Sequence, residues 1–204
     1  MGSDSDLAAA LVRLDEITRR LRRECPWDRE QDERSIVPHT VEEAYELADA
    51  AFSGDDAKLL DELGDFLFQA YFLALLMEER GAGSLAEVAD HVREKLIRRH
   101  PHVFGDVEAD TADEVLRNWN RIKQEDERGG ELFGDIPETL PSTLYAKKVL
   151  KRAESAGFRL DSADADGPGE RLLEAVRAAV DAGVDPELAL RQAADRFKNE
   201  VDGA

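Results

Sequence analysis

Apolar positions in this chain recur at spacings of three and four almost from end to end, and no segment alternates strictly between apolar and polar residues. That pattern predicts helices and argues against strands, so the fold class is all-α. Leu7, Leu11, Leu14, Ile17 and Leu21 give a first helix over 4–23, which "CPWD" breaks. A second helix is expected over 40–52, with Thr40 as N-cap and Glu43 three residues on completing a capping box. The turn "SGDD" leads into a long third helix capped by Asp55 or Asp56 and ended near Arg80 by "GAGS". Ser84 and Glu87 cap a fourth helix reaching His100, and a fifth is expected over 111–127.

After that point the periodicity fades. Residues 128–144, "RGGELFGDIPETLPSTL", are rich in glycine and proline and read as a linker between a first domain, 1–127, and a tail, 145–204. The tail echoes the third and fourth helices: "GERLLEAVRAAVDAGVDPELALRQAADRFKNEV" follows the same helix, turn, helix order, with Gly169 set against Gly64. It contains no second ExxE or ELGD and is expected to be a degenerate, non-catalytic repeat.

The third helix holds an anomaly. From Phe66 to Met77 it is apolar except for Gln69, yet Glu62 and Asp65 stand three residues apart where that run begins. Glu43 and Glu46 repeat the spacing on the second helix, and residues three apart share a helical face. Two antiparallel helices joined by a short turn would set the pairs opposite each other, four carboxylates around one volume. Oxygen ligands without Cys or His suit Mg²⁺, with Mn²⁺ possible, and Mg²⁺ is commonly shared with substrate phosphates. For Glu42 and Glu43 a bland account competes, since acids in a first helical turn are explained by capping and by the helix dipole. Glu62 and Asp65 resist it: acids on a helix buried on several sides need a cation, and Lys58 is the nearest base in sequence.

Charge narrows the partners. With 27 Lys and Arg against 46 Asp and Glu, the net charge of −19 opposes nucleic acid binding, while a small phosphorylated ligand remains compatible if a metal offsets the repulsion. The single cysteine, Cys25, cannot form an internal disulfide, the first residues lack a secretory pattern, and no apolar run approaches the roughly 20 residues of a membrane span. A cytoplasmic location without membrane association is the expectation. Lys95 and Arg99, four apart near a helix end with Arg98 between them, read either as charges favoured at a helix C-terminus or as a phosphate clamp. Trp119 reads as core, Trp27 in its loop as a surface for stacking a base. His100 and His102 flank a proline and read as a structural turn.

Five stretches in order, "CPWDREQ", "HTVEEAYEL", "DELGDFLFQ", "EKLIRRHPHVFGD" and "VLRNWNRIKQEDE", resemble the MazG family of nucleoside triphosphate pyrophosphohydrolases. The resemblance covers about residues 7–127 and implies a MazG-like four-helix bundle of the all-α NTP pyrophosphatase type. It implies that Glu43, Glu46, Glu62 and Asp65 ligate Mg²⁺, and that Lys95, Arg99 and Trp119 contact the nucleotide. The expected reaction is hydrolysis of a nucleoside triphosphate to the monophosphate and pyrophosphate, with Glu42 or Glu46 as general base, in a homodimer. Clearance of altered nucleotides lies within the family's range. A non-catalytic nucleotide- or metal-binding regulatory module is the alternative. A di-metal oxidoreductase bundle would need Glu-x-x-His pairs, and the chain has none.

Overall fold

The computed structural model describes residues 4–127, 132–134, 136–159 and 167–203. Parts of the expected linker, 128–131 and 135, and of the polar stretch before the last two helices, 160–166, lie outside them. Among the described residues there are ten helices and no strand: α1 Asp4–Glu24, α2 Pro26–Glu30, α3 Glu33–Ser53, α4 Asp56–Glu79, α5 Leu85–Arg99, α6 Pro101–Phe104, α7 Ala112–Glu127, α8 Ser142–Ser155, α9 Pro168–Asp181 and α10 Pro186–Asp202. The helices fall into two compact units, Met1–Val107 and Glu108–Ala204. By this division α7 belongs to the second unit, whereas the sequence pattern groups it with the first domain.

One helix begins earlier than its sequence pattern suggests. The second long helix, α3, starts at Glu33, not near Thr40. Asp32 is its N-cap: the carboxylate accepts from the Arg34 and Ser35 amides at 2.9 and 2.8 Å, and the Ser35 hydroxyl accepts from the Asp32 amide at 2.8 Å, a reciprocal capping box. Pro38 inside the helix removes one backbone donor, but it falls near the exposed N-terminal end, where the loss is cheap. Thr40 is therefore an interior residue, and Glu42 and Glu43 are not first-turn acids. Their dipole-based explanation disappears.

Gly54, at φ 73°, ends α3 and the Asp55 cap starts α4, so the chain doubles back and α4 packs along α3. The core of the unit lies between these two helices: Ile36 on α3 meets Phe72 and Leu76 on α4, with Phe68 and Leu73 packed around them. Phe72 is wholly buried. Helix α1 covers the second half of α4, where the Arg19 guanidinium forks onto Glu78 at 2.6 and 3.0 Å and Arg22 reaches Glu79 at 2.8 Å. Tyr71, Phe72, Leu75 and Leu76 are buried within the unit. The first half of α4 is different: Leu60, Leu63, Phe66 and Leu67 remain exposed, as do Val88, Val92 and Leu96 on α5.

Both units contain the same helix closure. At the end of α4 the Gly81 amide donates to the Glu78 carbonyl at 2.9 Å and the Ala82 amide to that of Met77 at 3.0 Å. At the end of α9 the Gly183 amide donates to Val180 at 3.0 Å and the Val184 amide to Ala179 at 2.8 Å. These are Schellman turns, and Gly81 and Gly183 sit at φ 65° and 73°, where a β-carbon is disfavoured. Ser84 and Asp185 then cap the following helices. In the second unit α8, α9 and α10 pack on one another.

Because Phe72 is fully enclosed, Phe72→Ala is expected to cost about 3–5 kcal/mol and Asp32→Ala about 1 kcal/mol. Both are measurable by denaturant unfolding of the first unit's signal. Similar small losses for the two would contradict the placement of the core.

Candidate active site

The α3–α4 hairpin arranges its polar groups in layers. At the level furthest from α1's ion pairs, Glu43 on α3 and Glu62 and Asp65 on α4 each place one carboxylate oxygen within 4.8 Å of the others. Glu43 and Glu62 are half-buried and Asp65 is exposed. Glu46 lies outside that trio by distance, but its charge acts on both Glu43 and Glu62. The four sequence-predicted ligands thus occupy one electrostatic neighbourhood. The carboxylates of Glu43, Glu62 and Asp65 make no hydrogen bond or ion pair within 4 Å with another described residue.

Crowding leaves its mark on proton affinity. Desolvation pushes the Glu43 carboxyl above its ordinary value, and the charges of Asp65, Glu46, Glu62 and Glu42 add to the shift. The Glu62 carboxyl is raised in the same way, by desolvation first and then Glu46, with Lys58 opposing. Glu43 and Glu62 therefore resist ionising beside the neighbouring charges.

One turn inward on both helices, the Thr40 hydroxyl donates to Gln69 Oε1 at 3.3 Å. Gln69 is buried, so this rung is a polar floor between the carboxylates and the apolar core. The sequence shows Gln69 only as an interruption of an apolar run. Its partner becomes visible once Thr40 is known to lie inside α3.

Trp27 sits beside the same helix. Its ring meets that of His39 with centroids 5.5 Å apart and planes at 72°. His39 Nδ1 in turn lies 3.8 Å from a carboxylate oxygen of Glu42, which is exposed. Trp27 lies not in a loop, as its sequence context suggests, but in the short helix α2, which is pinned by Arg22, whose guanidinium donates to the Asp28 and Gln31 carbonyls, and by the Gln31 side-chain amide donating to the Trp27 carbonyl at 3.0 Å. Sequence reasoning passed over His39, although it stands directly ahead of "TVEE".

Lys95 and Arg99 are half-buried one turn apart on α5, with Arg98 exposed between them. His100 Nδ1 lies 2.6 Å from the Leu96 carbonyl, and Pro101 starts α6, in keeping with a structural turn at this pair. Trp119 belongs to α7 in the second unit, where the Lys123 ammonium lies 5.1 Å from its ring centroid.

The MazG nucleotide pyrophosphohydrolase domain matches residues 31–104, a span that contains both acidic pairs as well as Lys95, Arg98 and Arg99. The nucleoside triphosphate pyrophosphohydrolase/pyrophosphatase MazG of Thermotoga maritima is 33% identical over 199 residues, 85% of this chain and 76% of that protein. This chain belongs to the MazG family. An uncharacterized 26.1 kDa protein of Streptomyces cacaoi is 39% identical over 201 residues, covering 96% of the chain and 83% of that relative. The nucleoside triphosphate pyrophosphohydrolase of Escherichia coli K12 is 42% identical over 137 residues. Those residues are 66% of this chain and 52% of the relative, so the chain spans about half of that protein's length.

The raised carboxyl values carry a sign. A glutamate whose folded pKa exceeds its unfolded value keeps its proton longer when folded, so its contribution to stability is present at low pH and is lost as pH rises through the folded value. At neutral pH and without divalent cations, Glu43→Gln and Glu62→Gln are each expected to melt above the parent. The gap should close as pH falls below the carboxylate range. Thermal melts in chelator across that range check both the direction and the convergence.

Proposed function

We propose that this MazG family member is a Mg²⁺-dependent nucleoside triphosphate pyrophosphohydrolase. The observation that carries the reading is the convergence of Glu43, Glu62 and Asp65 with no ion pair within 4 Å among the described residues, and with Glu46 in their field. A cluster of acids that repel one another fits a divalent cation, and an all-oxygen donor set fits Mg²⁺ first and Mn²⁺ second. Glu43, Glu46, Glu62 and Asp65 hold the ion. When bound, it supplies charge neutralisation for the triphosphate and raises the acidity of the attacking water.

The chain's own residues do the rest. Glu42 or Glu46 accepts the proton of the water whose oxygen bonds to the α-phosphorus, as the bond from that phosphorus to the α–β bridging oxygen breaks. Lys95 and Arg99, with Arg98 beside them, offset the charge that develops on departing pyrophosphate. Trp27 provides a face for the base, and Trp119 is a further substrate contact carried over from the family's motif. The net charge disfavours nucleic acid as the substrate. Among the described residues no helix is long and apolar enough to cross a membrane; the proposed place of action is the cytoplasm.

The exposed apolar face formed by Leu60, Leu63, Phe66 and Leu67 on α4 and Val88, Val92 and Leu96 on α5 supports a homodimer that completes the bundle between chains. Residues 145–204 are proposed as a non-catalytic second copy. Setting Gly169 against Gly64 puts Gly167 in place of Glu62 and Glu170 in place of Asp65, so the pairing that binds metal is incomplete there.

Pyrophosphate release from nucleoside triphosphates with Mg²⁺ tests the reaction. Glu62→Gln is expected to lose at least the roughly 10- to 100-fold in metal affinity that removal of a partner behind a ligand costs, with matching loss of activity at limiting Mg²⁺. Mg²⁺ should also raise the melting temperature of the parent more than that of the variant. Equal activity in the two refutes the metal assignment, and release of single phosphate refutes the reaction. Light scattering is expected to report a dimer that Leu63→Lys weakens; a monomeric parent overturns the assembly.

A further inference from the structure

The Trp27 and His39 rings form a corner that the fold builds carefully and then leaves half exposed. The Trp27 side is fixed by Arg22, a residue committed to Glu79 and to two backbone carbonyls in and just after α2, those of Asp28 and Gln31. The His39 side is fixed by α3 itself, four residues ahead of Glu43. Four residues of helix rise about 6 Å, so the imidazole stands one turn along the axis from the carboxylate cluster, on the side where α2 crosses. A nucleotide anchored by its phosphates at the carboxylates has its sugar to span that step and its base to lie against the corner.

Two rings at 72° give a planar base two different contacts. A base stacked on one ring presents its edge towards the other, so stacking alone does not exhaust the interaction. His39 Nδ1 lies 3.8 Å from the Glu42 carboxylate, too long for a hydrogen bond but on the side of that charge, and a neutral imidazole with its hydrogen on Nδ1 presents Nε2 as an acceptor.

The geometry points to His39 as a specificity-determining residue that accepts a hydrogen bond from the exocyclic amine of a base stacked on Trp27. Adenine and cytosine nucleotides are thereby preferred over hypoxanthine and uracil nucleotides, which carry a carbonyl oxygen where the amine stood. Two acceptors facing each other repel, so the discrimination has a penalty as well as a gain. This inference rests on the triphosphate reading of the site, and it concerns binding and not the chemical step.

The test uses the full chain with Mg²⁺ and the non-hydrolysable α,β-methylene analogues of ATP, ITP, CTP and UTP, with affinities read by calorimetry. The parent is expected to favour the amine-bearing member of each pair by about 3- to 10-fold, the factor that one hydrogen bond contributes. His39→Phe keeps a ring but no acceptor, and His39→Gln offers both a donor and an acceptor; in each the ratio should fall to about one. A parent without preference, a preference that survives in both variants, or no binding of any analogue overturns the assignment. If the preference is present but the parent releases no pyrophosphate from ATP, the base-reading role of His39 stands and the hydrolase reading fails.

Discussion

Carboxylates that share a few ångströms of space drive each other apart, and the α3–α4 hairpin is the element that holds them together. Glu43 sits on one strut of the hairpin and Glu62 and Asp65 on the other, so repulsion among them acts to open the pair. What opposes it is apolar contact further along the same two helices, where Ile36 closes on Phe72 and Leu76. The opposing force must be rigid as well as strong. A close-packed interior transmits position, so a fully enclosed Phe72 fixes the register of α4 on α3 and with it the separation of the acids.

The layers between those extremes have a graded polarity. Thr40 and Gln69 form a polar rung between carboxylates and hydrocarbon, which spares the apolar core from direct contact with charge. At the far end of α4, Glu78 and Glu79 are neutralised by Arg19 and Arg22, and both carboxyls are held below their usual range by these partners. The contrast on one helix is informative. The acids at the far end have guanidinium partners supplied by α1, whereas the acids at the near end have none among the described residues. Arg22 also grips the short helix α2 that carries Trp27, so the residue that ties α1 to α4 also holds the aromatic surface beside α3.

Much of this was legible in the pattern of residues. Helix periodicity is a local property, and α1, α4 and α5 follow it closely. The paired ExxE and ExxD spacings place acids on shared faces by helix geometry alone, and the hairpin brings three of the four, Glu43, Glu62 and Asp65, within 4.8 Å of one another. The start of α3 was not legible, because two capping signals compete: "TVEE" looks stronger in isolation, but Asp32 with Ser35 satisfies the backbone one turn earlier and Pro38 does not stop the helix. The burial of Tyr71, Phe72, Leu75 and Leu76 within the unit was not legible either, since only tertiary packing shows α1 beside them. His39 was invisible for a related reason. Its neighbour Trp27 is twelve residues away in sequence, and the contact depends on α2, which Arg22 holds in place.

The exposed half of α4 links assembly to chemistry. Leu63 and Phe66 flank Glu62 and Asp65 in the chain, so any surface that covers these apolar side chains also removes water from beside the acids. Desolvation already heads the causes that raise Glu62, and further exclusion of water strengthens every charge interaction there. In the proposed dimer the cost of leaving the acids ionised without a cation therefore rises, and so does the gain from binding one. A subunit alone holds its carboxylates in a partly solvated cluster that tolerates being empty. Burial of the neighbouring apolar face would shift that balance, so that the proposed metal binding and the proposed self-association would reinforce each other through one helix that is acidic and apolar within the same two turns.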